Sequence, residues 1–112
     1  MAVQFSQEKV GEGTLLRLEG RMDAATSPAV DTKIGALLQG GVEKLILSFK
    51  GVDYLSSAGM RVILAASKKL AAKKGKLLLC ELKPQVLEVL KLAGFDRILE
   101  IVATEQEARS QL

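Results

Sequence analysis

The sequence predicts an α/β domain with a mixed, mainly parallel sheet of about five strands and about four helices. Three observations support this fold class. Only a short glycine turn, Gly11-Glu12-Gly13, separates the first two strand segments, so they should form an antiparallel hairpin. Each later strand segment is followed by a segment with helical spacing of its apolar residues. Because strands joined by helices need crossover connections and pair mainly in parallel, the expected order is β-β-α-β-α-β-α-β-α.

The predicted hairpin comprises residues 3–10 and 14–19, and a first helix follows it. Ser27 is typical of an N-cap, and Pro28 is favourable at the first helical position. Gly40-Gly41 should end this helix. One apolar stripe defines its buried face: Val30, Ile34, Leu37 and Leu38.

The central strand is predicted over residues 45–49, which are apolar on both alternating faces. That pattern is expected of a strand covered on both sides. A second helix is predicted from Ala58 onward, ending near Gly75. Its predicted buried face consists of Met60, Ile63, Leu64, Ser67, Leu70 and Ala71.

The last part of the chain predicts two more strands and two more helices. Residues 77–82 form a buried strand, and a helix begins at Pro84 and closes at Gly94. Residues 98–103 give a short last strand. Thr104 and Glu107 then have the spacing of a capping box that opens a terminal helix. The apolar positions of the third helix are Val86, Leu87, Leu90 and Ala93.

Length and composition indicate one cytoplasmic domain over residues 1–112. A chain of 112 residues supports one core. No apolar stretch approaches the roughly 18 residues that span a bilayer, and the first residues lack the basic and apolar segments of a signal peptide. The single Cys80 lies in an apolar run, where a small buried thiol is expected. The chain contains no His, which excludes a Ser-His-Asp arrangement and any His-containing zinc site.

The net charge of +3 permits contact with an acidic partner, but the basic residues are unevenly distributed. Six of them fall between Asp53 and Glu81, a stretch without any acidic residue: Arg61, Lys68, Lys69, Lys73, Lys74 and Lys76. Most lie near a predicted helix C-terminus, where cations complement the helix dipole. Aromatic residues are only 4% and do not alternate with the lysines, so a solvated helix end is favoured over a nucleic-acid surface.

One segment carries a functional signal: residues 51–60 connect the central strand to the second helix. Such connections lie at the carboxyl edge of a parallel sheet, where α/β proteins carry their sites. Ser56 and Ser57 stand where the helix begins. Either hydroxyl could cap the helix. A phosphate on either would meet free N–H groups and the positive end of the helix dipole.

This segment resembles the signature loop of STAS domains, in which a strand and turn lead into a serine, a small residue and a glycine at a helix start. The matching residues are Val52-Asp53-Tyr54-Leu55-Ser56-Ser57-Ala58-Gly59, followed by Met60-Arg61-Val62-Ile63-Leu64. Gly20-Arg21-Met22-Asp23 is similar to the family's Gly-x-x-Asp, and Leu90-Lys91-Leu92-Ala93-Gly94-Phe95 is similar to its third-helix ending. The resemblance covers nearly the whole chain and favours the anti-sigma-factor antagonist branch.

The resemblance implies a single STAS domain that acts as a bacterial, non-enzymatic protein-binding switch. Such a protein binds an anti-sigma factor serine kinase while its signature serine, here Ser57, is unphosphorylated, and phosphorylation releases it. A serine phosphatase would reverse the modification. Ser56 is the neighbouring candidate phosphoacceptor, because many members have Asp at its position. The implied partner-binding surface comprises Asp23, Asp53, Tyr54, Ser56, Ser57, Ala58, Gly59, Met60 and Arg61.

Arg61 lies four residues after Ser57 on the predicted helix, so both should share a face. It could hold a phosphate on Ser57 or pair with a partner carboxylate. We expect no cofactor, no metal, no direct nucleic-acid binding and no membrane insertion, and a monomer when the protein is alone.

Three other functions stay open at this stage. A stand-alone STAS protein can be a subunit of a stress-signalling complex or of a lipid-transport complex at a membrane, with which the lysine cluster is compatible. A sensor of a small anionic ligand could use a helix N-terminus at the same sheet edge. An enzyme is the least supported, because no base or metal-ligand spacing accompanies Asp23, Asp53 and Ser57.

Overall fold

The computed structural model describes residues 3–112, and its elements follow the predicted order. The strands are β1 (Gln4–Val10), β2 (Gly13–Met22), β3 (Lys44–Leu55), β4 (Lys76–Cys80) and β5 (Glu100–Ile101). The helices are α1 (Ser27–Gln39), α2 (Ser57–Ala72), α3 (Pro84–Leu92) and α4 (Glu105–Ser110), and a 3-10 turn (Phe95–Arg97) precedes β5. The fold prediction is therefore confirmed. No helix within the described part of the chain is both long and apolar enough to cross a bilayer.

The five strands lie side by side in the order in which they occur in the chain. β1 and β2 form the antiparallel hairpin, and each later strand is parallel to the one before it. Right-handed crossovers that always step in one direction place their helices on one face of the sheet. Accordingly, Val30 of α1, Ile63 of α2 and Val86 of α3 belong to one core, which we call the main core.

The opposite face of the sheet carries a smaller core, which α4 covers. Leu15, Ile46 and Leu78 from the three central strands pack there with Cys80 and with Ala108 of α4. The central strand β3 is thus covered on both faces, as its sequence predicts. Cys80 is free and buried, as expected, and burial raises the pKa of its thiol to about 12. The thiol is therefore almost wholly protonated at neutral pH.

Charged side chains hold α4 against the sheet. The Arg17 guanidinium donates to both carboxylate oxygens of Glu105, at 2.9 and 3.1 Å, and contacts Glu8 at 3.2 Å. Arg109 reaches Glu8 at 2.8 Å, and Glu81 accepts a hydrogen bond from the Glu105 N–H at 2.8 Å. We call these five residues the α4 clasp. Hydrogen bonds from Arg17 lower the pKa of Glu105, and those from Arg109 lower the pKa of Glu8.

Strand lengths differ from the prediction. β2 continues to Met22 and β3 to Leu55, because the two strands keep pairing beyond the rest of the sheet. β4 ends at Cys80 instead of residue 82, since Glu81 takes a positive φ of 57°. β5 has only two residues instead of the predicted 98–103, because Ile98 closes the preceding 3-10 turn and only Glu100 and Ile101 pair with β4.

Helix boundaries and faces also need correction. Thr26, not Ser27, is the N-cap residue of α1, and the Ser27 hydroxyl instead donates to the Asp23 carbonyl at 2.6 Å. α2 begins at Ser57, one residue earlier than predicted. Its fully buried residues are Gly59, Ile63, Ala66 and Leu70.

The predicted faces of α2 and α3 each contained residues that are not buried. Ala71 in α2 is exposed, and so is Ala93, which follows the end of α3. Gly59 and Ala66 are small residues with little hydrophobic character, so the sequence pattern did not place them on the buried face of α2. The Thr104 cap of α4 is confirmed, since the Glu107 N–H donates to Thr104 Oγ1 at 3.1 Å. The reciprocal bond of a capping box is displaced by one residue, because the Glu107 carboxylate accepts from the Ala103 N–H at 3.3 Å.

Candidate functional site

The candidate site lies on the part of β2 and β3 that projects beyond the other strands. β3 pairs with β4 only as far as Ser48, whereas it pairs with β2 as far as Leu55. We call the part beyond β4, residues 19–22 and 51–55, the β2–β3 extension; it is two-stranded after Glu19, which also pairs with Gln4 of β1. Gly20 lies opposite Val52 and Arg21 opposite Tyr54. Asp53 is therefore the extra residue of a bulge, and its side chain is exposed.

The end of the extension joins directly to the start of α2. Met22 lies opposite Leu55, and the Met22 carbonyl accepts a hydrogen bond from the Ser56 N–H at 2.8 Å. Asp23 and Ser56 follow these two residues, so the expectation that Asp23 lies near the signature serines is supported by the register. We call this region, residues 22–26 and 55–59, the α2 junction.

Gly59 allows α2 to approach the end of β2. A Cβ atom at this position would lie 3.0 Å from the Met22 carbonyl oxygen and 3.1 Å from its Cβ. It would also lie 2.6 Å from Leu55 Cδ1. Gly59 is buried, so its inclusion in the predicted partner surface is corrected: it supports that surface from beneath.

The two serines have different roles in the helix start. Ser56 is the N-cap of α2, and its Oγ accepts a hydrogen bond from the Gly59 N–H at 3.2 Å. Ser57 is the first helical residue and is exposed. Its hydroxyl makes no hydrogen bond to any residue in the range 3–112. The Ser56 hydroxyl therefore stabilises the helix, whereas the Ser57 hydroxyl is available to another molecule.

Asp23 organises the turn between β2 and α1. Its Oδ1 accepts hydrogen bonds from the N–H groups of Ala25 and Thr26, each at 3.0 Å. The Thr26 hydroxyl accepts from the Asp23 N–H at 3.0 Å and donates to the Arg21 carbonyl. The hydrogen bond from the Thr26 backbone is the main reason that the pKa of Asp23 is lowered. The Oδ1 atom of Asp23 therefore stabilises the turn.

Arg21 and Tyr54 form a stacked pair that the sequence analysis missed. The Arg21 guanidinium carbon lies 4.1 Å from the centre of the Tyr54 ring, a cation–π geometry. The Arg21 Nε lies 3.6 Å from Asp23 Oδ2. Arg21 was present in the quoted Gly-x-x-Asp motif, but only the strand register places it opposite Tyr54.

The remaining predicted residues lie along the first turns of α2. Ala58 is half-buried, and the half-buried Met60 packs against the main core. Arg61 is exposed one turn beyond Ser57. The first turn of α2 contains no acidic residue. The exposed part of the site is therefore formed by Asp53, Tyr54, Ser57 and Arg61, together with Arg21.

Across residues 3–112, no group of three or more His, Cys, Asp or Glu side chains is placed to hold a metal ion. In the lysine cluster, the Lys73 ammonium donates to the Leu38 carbonyl at the end of α1, at 2.7 Å. This contact fits the interpretation of the cluster as a helix end.

Comparison with known proteins decides the family. The model of the STAS domain family matches residues 4–108. This chain belongs to the STAS family. A relative from Bordetella bronchiseptica, BtrV, described as a candidate anti-sigma factor antagonist, is 31% identical over 95% of this chain and 91% of its own length.

Solved structures agree with this STAS assignment. A Thermotoga maritima protein described as a candidate anti-sigma factor antagonist shares the fold with a TM-score of 0.91. It is 23% identical, and the match covers 96% of this chain and 92% of that one. The Bacillus cell fate determinant SpoIIAA, solved in its phosphorylated form, is 26% identical with a TM-score of 0.74. That match covers 96% of this chain and 98% of SpoIIAA.

Proposed function

We propose that this STAS protein is an anti-sigma factor antagonist whose binding is switched at Ser57. In the unphosphorylated state, the surface formed by the β2–β3 extension and the start of α2 binds an anti-sigma factor kinase. Phosphorylation of Ser57 by that kinase releases the complex, and a serine phosphatase restores binding. The observation that carries the proposal is the difference between the two serines: Ser56 caps α2, and Ser57 is exposed with a hydroxyl that bonds to no residue the structure describes.

The comparisons support the class of partner. BtrV is described as a candidate antagonist of an anti-sigma factor, and SpoIIAA has been solved both as an unphosphorylated anti-sigma factor antagonist and in a phosphorylated form. The match to SpoIIAA covers 96% of this chain. The few unmatched residues are fewer than those of the α2 junction, so the match includes at least part of that junction. A phosphorylation switch on the same domain is therefore the simplest function consistent with the exposed Ser57.

The domain itself should tolerate the phosphate. Ser57 occupies the first position of a 16-residue helix whose first turn has no acidic residue. The phosphate would meet backbone N–H groups and the positive end of the helix dipole there. The complex, in contrast, should not tolerate it. A phosphate adds about −1.5 to −2 charges at neutral pH, and a loss of only ~2.7 kcal/mol of binding free energy weakens a complex about 100-fold.

Site-specific incorporation of phosphoserine tests the switch without a kinase. The protein is made with phosphoserine at position 57, or at position 56 as the matched control, and titrated against the anti-sigma factor kinases encoded in the same genome. Phosphoserine at 57 should weaken binding about 100-fold while the far-UV circular dichroism stays unchanged. Ser57→Ala should bind without being switchable, and Ser57→Asp should bind more weakly than Ser57→Ala.

Mass-spectrometric mapping after incubation with the kinase and ATP locates the modification itself. We expect phosphate on Ser57 in the wild type and in Ser56→Ala. Phosphate on Ser56 alone would move the switch by one residue. Full-strength binding by the protein that carries phosphoserine at 57 would refute the mechanism.

Arg61 should contribute to this switch, since it is exposed one turn beyond Ser57. If it holds the phosphate, Arg61→Ala changes only the phosphorylated form. If it pairs with a partner carboxylate, the variant weakens the unmodified complex. A change below about 0.5 kcal/mol in both states would remove Arg61 from the mechanism.

A binding role also predicts that the protein alone does not turn over nucleotides. We expect no hydrolysis of ATP or GTP above the buffer rate. Hydrolysis that Ser57→Ala abolishes would instead indicate an enzyme.

A further inference from the structure

The stacked pair of Arg21 and Tyr54 lies on the face of the β2–β3 extension that points away from the main core. The next residues along each strand, Met22 and Leu55, are buried in that core, so Arg21 and Tyr54 project to the other side. The side chain of Arg21 is 48% exposed, and Tyr54 is 42% exposed. Among residues 3–112, three large hydrophobic residues are exposed: Tyr54, Leu92 and Ile98.

The Arg21 guanidinium is held in place by its neighbours but keeps donors that another molecule can use. The Tyr54 ring covers one of its flat sides, and the Asp23 carboxylate lies 3.6 Å from its Nε. Its two terminal amino groups make no hydrogen bond or ion pair with any residue that the structure describes. A planar guanidinium fixed in this way loses little conformational entropy when it binds, and its free edge matches the two oxygens of a carboxylate.

We propose that Arg21 is a specificity-determining contact of the partner-binding surface, which receives an Asp or Glu carboxylate of the anti-sigma factor while Tyr54 packs against the same partner. This inference rests on the proposed function and names the chemistry that the surface recognises. Exposed arginine and tyrosine side chains are the residue types that most often dominate the binding free energy of protein interfaces.

The charges around the pair make the contact selective. Asp53 is exposed in the bulge beside Tyr54, and Glu19 lies two residues before Arg21 on the same face of β2. Both would repel a partner carboxylate that is not aligned with the Arg21 guanidinium. A partner with a basic residue at this point would instead face Arg21 directly and be rejected.

The same contact explains why a phosphate at Ser57 would be effective. Arg21 directly precedes Met22, whose carbonyl accepts a hydrogen bond from the Ser56 N–H at 2.8 Å, so Arg21 adjoins the α2 junction that contains Ser57. A partner carboxylate held at Arg21 would then be brought toward the phosphate. Like charges that are brought together at an interface cost binding free energy and favour release.

A charge series at position 21 tests the inference. Arg21→Ala should weaken binding of the unphosphorylated protein to its anti-sigma factor by about tenfold or more. Arg21→Glu should weaken it further, because the partner's carboxylate would then meet a like charge. Arg21→Lys should recover only part of the loss, since an ammonium cannot make the bidentate, ring-stacked contact. Tyr54→Phe should keep most of the affinity, whereas Tyr54→Leu should not.

Arg97→Ala is the matched control, because Arg97 is an exposed arginine in the 3-10 turn before β5, at the opposite edge of the parallel sheet. It should bind like the wild type, and every variant should keep its circular dichroism spectrum and Tm. If Arg21→Glu binds as well as Arg21→Ala or better, the partner group is not a carboxylate and the inference is overturned.

Two further outcomes separate this inference from the proposed function. If Arg21→Ala binds within about twofold of the wild type while phosphoserine at 57 still blocks binding, the role of Arg21 is overturned and the switch stays intact. If the wild type binds none of the organism's anti-sigma factors, the proposed function fails, and the carboxylate contact with it.

Discussion

Two attachments in this protein are made in different ways: the α2 junction, which presents Ser57, and the α4 clasp, which covers the opposite face of the sheet. At the α2 junction, a backbone carbonyl, a serine hydroxyl and a glycine fix the start of the helix. At the α4 clasp, two arginines and three glutamates attach a six-residue helix to the sheet, mainly through ion pairs.

The two attachments respond differently to pH and to salt concentration. Hydrogen bonds between uncharged groups and close steric contact do not change with pH or salt near neutrality. Ion pairs between half-exposed side chains are instead screened by salt and are lost when acid protonates the carboxylates. The start of α2 is therefore held by contacts that stay constant, so that the charge added at Ser57 can be the main electrostatic change at this helix end. The following predictions test this contrast, beginning with the largest expected effect.

Gly59→Ala should disturb the α2 junction most. The added methyl group would lie 3.0 Å from the Met22 carbonyl and 2.6 Å from Leu55 Cδ1, so the helix start has to move. We expect a loss of about 1–3 kcal/mol in the free energy of unfolding, measured by urea denaturation.

Gly35→Ala is the control for this glycine, because nothing lies within 4 Å of the added Cβ in the middle of α1. It should stabilise the protein by about 0.4–1 kcal/mol. Equal effects of the two substitutions would show that close approach at Gly59 does not matter.

Substitution of the two serines should change the free energy of unfolding by different amounts, because only Ser56 caps α2. Ser56→Ala removes the N-cap and should cost about 1 kcal/mol in the free energy of unfolding. Ser57→Ala removes a hydroxyl without a partner and should change stability by less than about 0.5 kcal/mol. Parallel denaturant titrations of both variants measure this, and a larger loss for Ser57→Ala would reverse the assigned roles.

Acid should weaken the α4 clasp before the α2 junction. The folded-state pKa of Glu105 is lowered by Arg17, so the ion pair stabilises the fold above the ordinary glutamate pKa of about 4.3. That contribution is lost as pH falls from there through the lower folded-state pKa. We expect about 0.5–1 kcal/mol for this partly exposed pair. Arg17→Met should flatten the stability profile below pH 5, as measured by denaturation at a series of pH values; an unchanged slope would contradict this.

Cys80 can report opening of α4 at neutral pH. Its thiol is buried in the smaller core and has a pKa of about 12, so labelling by a thiol reagent requires α4 to move away. Arg17→Ala should raise the labelling rate about two- to fivefold, the factor that corresponds to ~0.5–1 kcal/mol. Ser56→Ala is the control and should raise it less, because it weakens the other attachment.

Local sequence patterns predicted the order of elements, because each pattern depends on residues close in the chain. Strand ends were predicted less well: Lys50 and Asp53 are polar residues of β3 that lie at the two register shifts of its pairing with β2, and nothing in their own segment indicates that the strand continues past them. The same limit applies to the site. The signature segment predicted Ser57 as the phosphoacceptor, which stays a prediction. The stacking of Arg21 on Tyr54 depends on cross-strand register, and the assignment of the cap to Ser56 depends on its extended backbone.

The sequential strand order has a consequence for how the chain folds. Every strand pairs with the strand made just before it, so the sheet can assemble in the order of synthesis with short loop closures. The α4 clasp is the exception, because Arg17 and Glu105 are 88 residues apart. The face carrying Leu15, Ile46 and Leu78 therefore stays uncovered until α4 has been made. During that interval it is the apolar surface through which nascent chains would associate with one another or be bound by a chaperone.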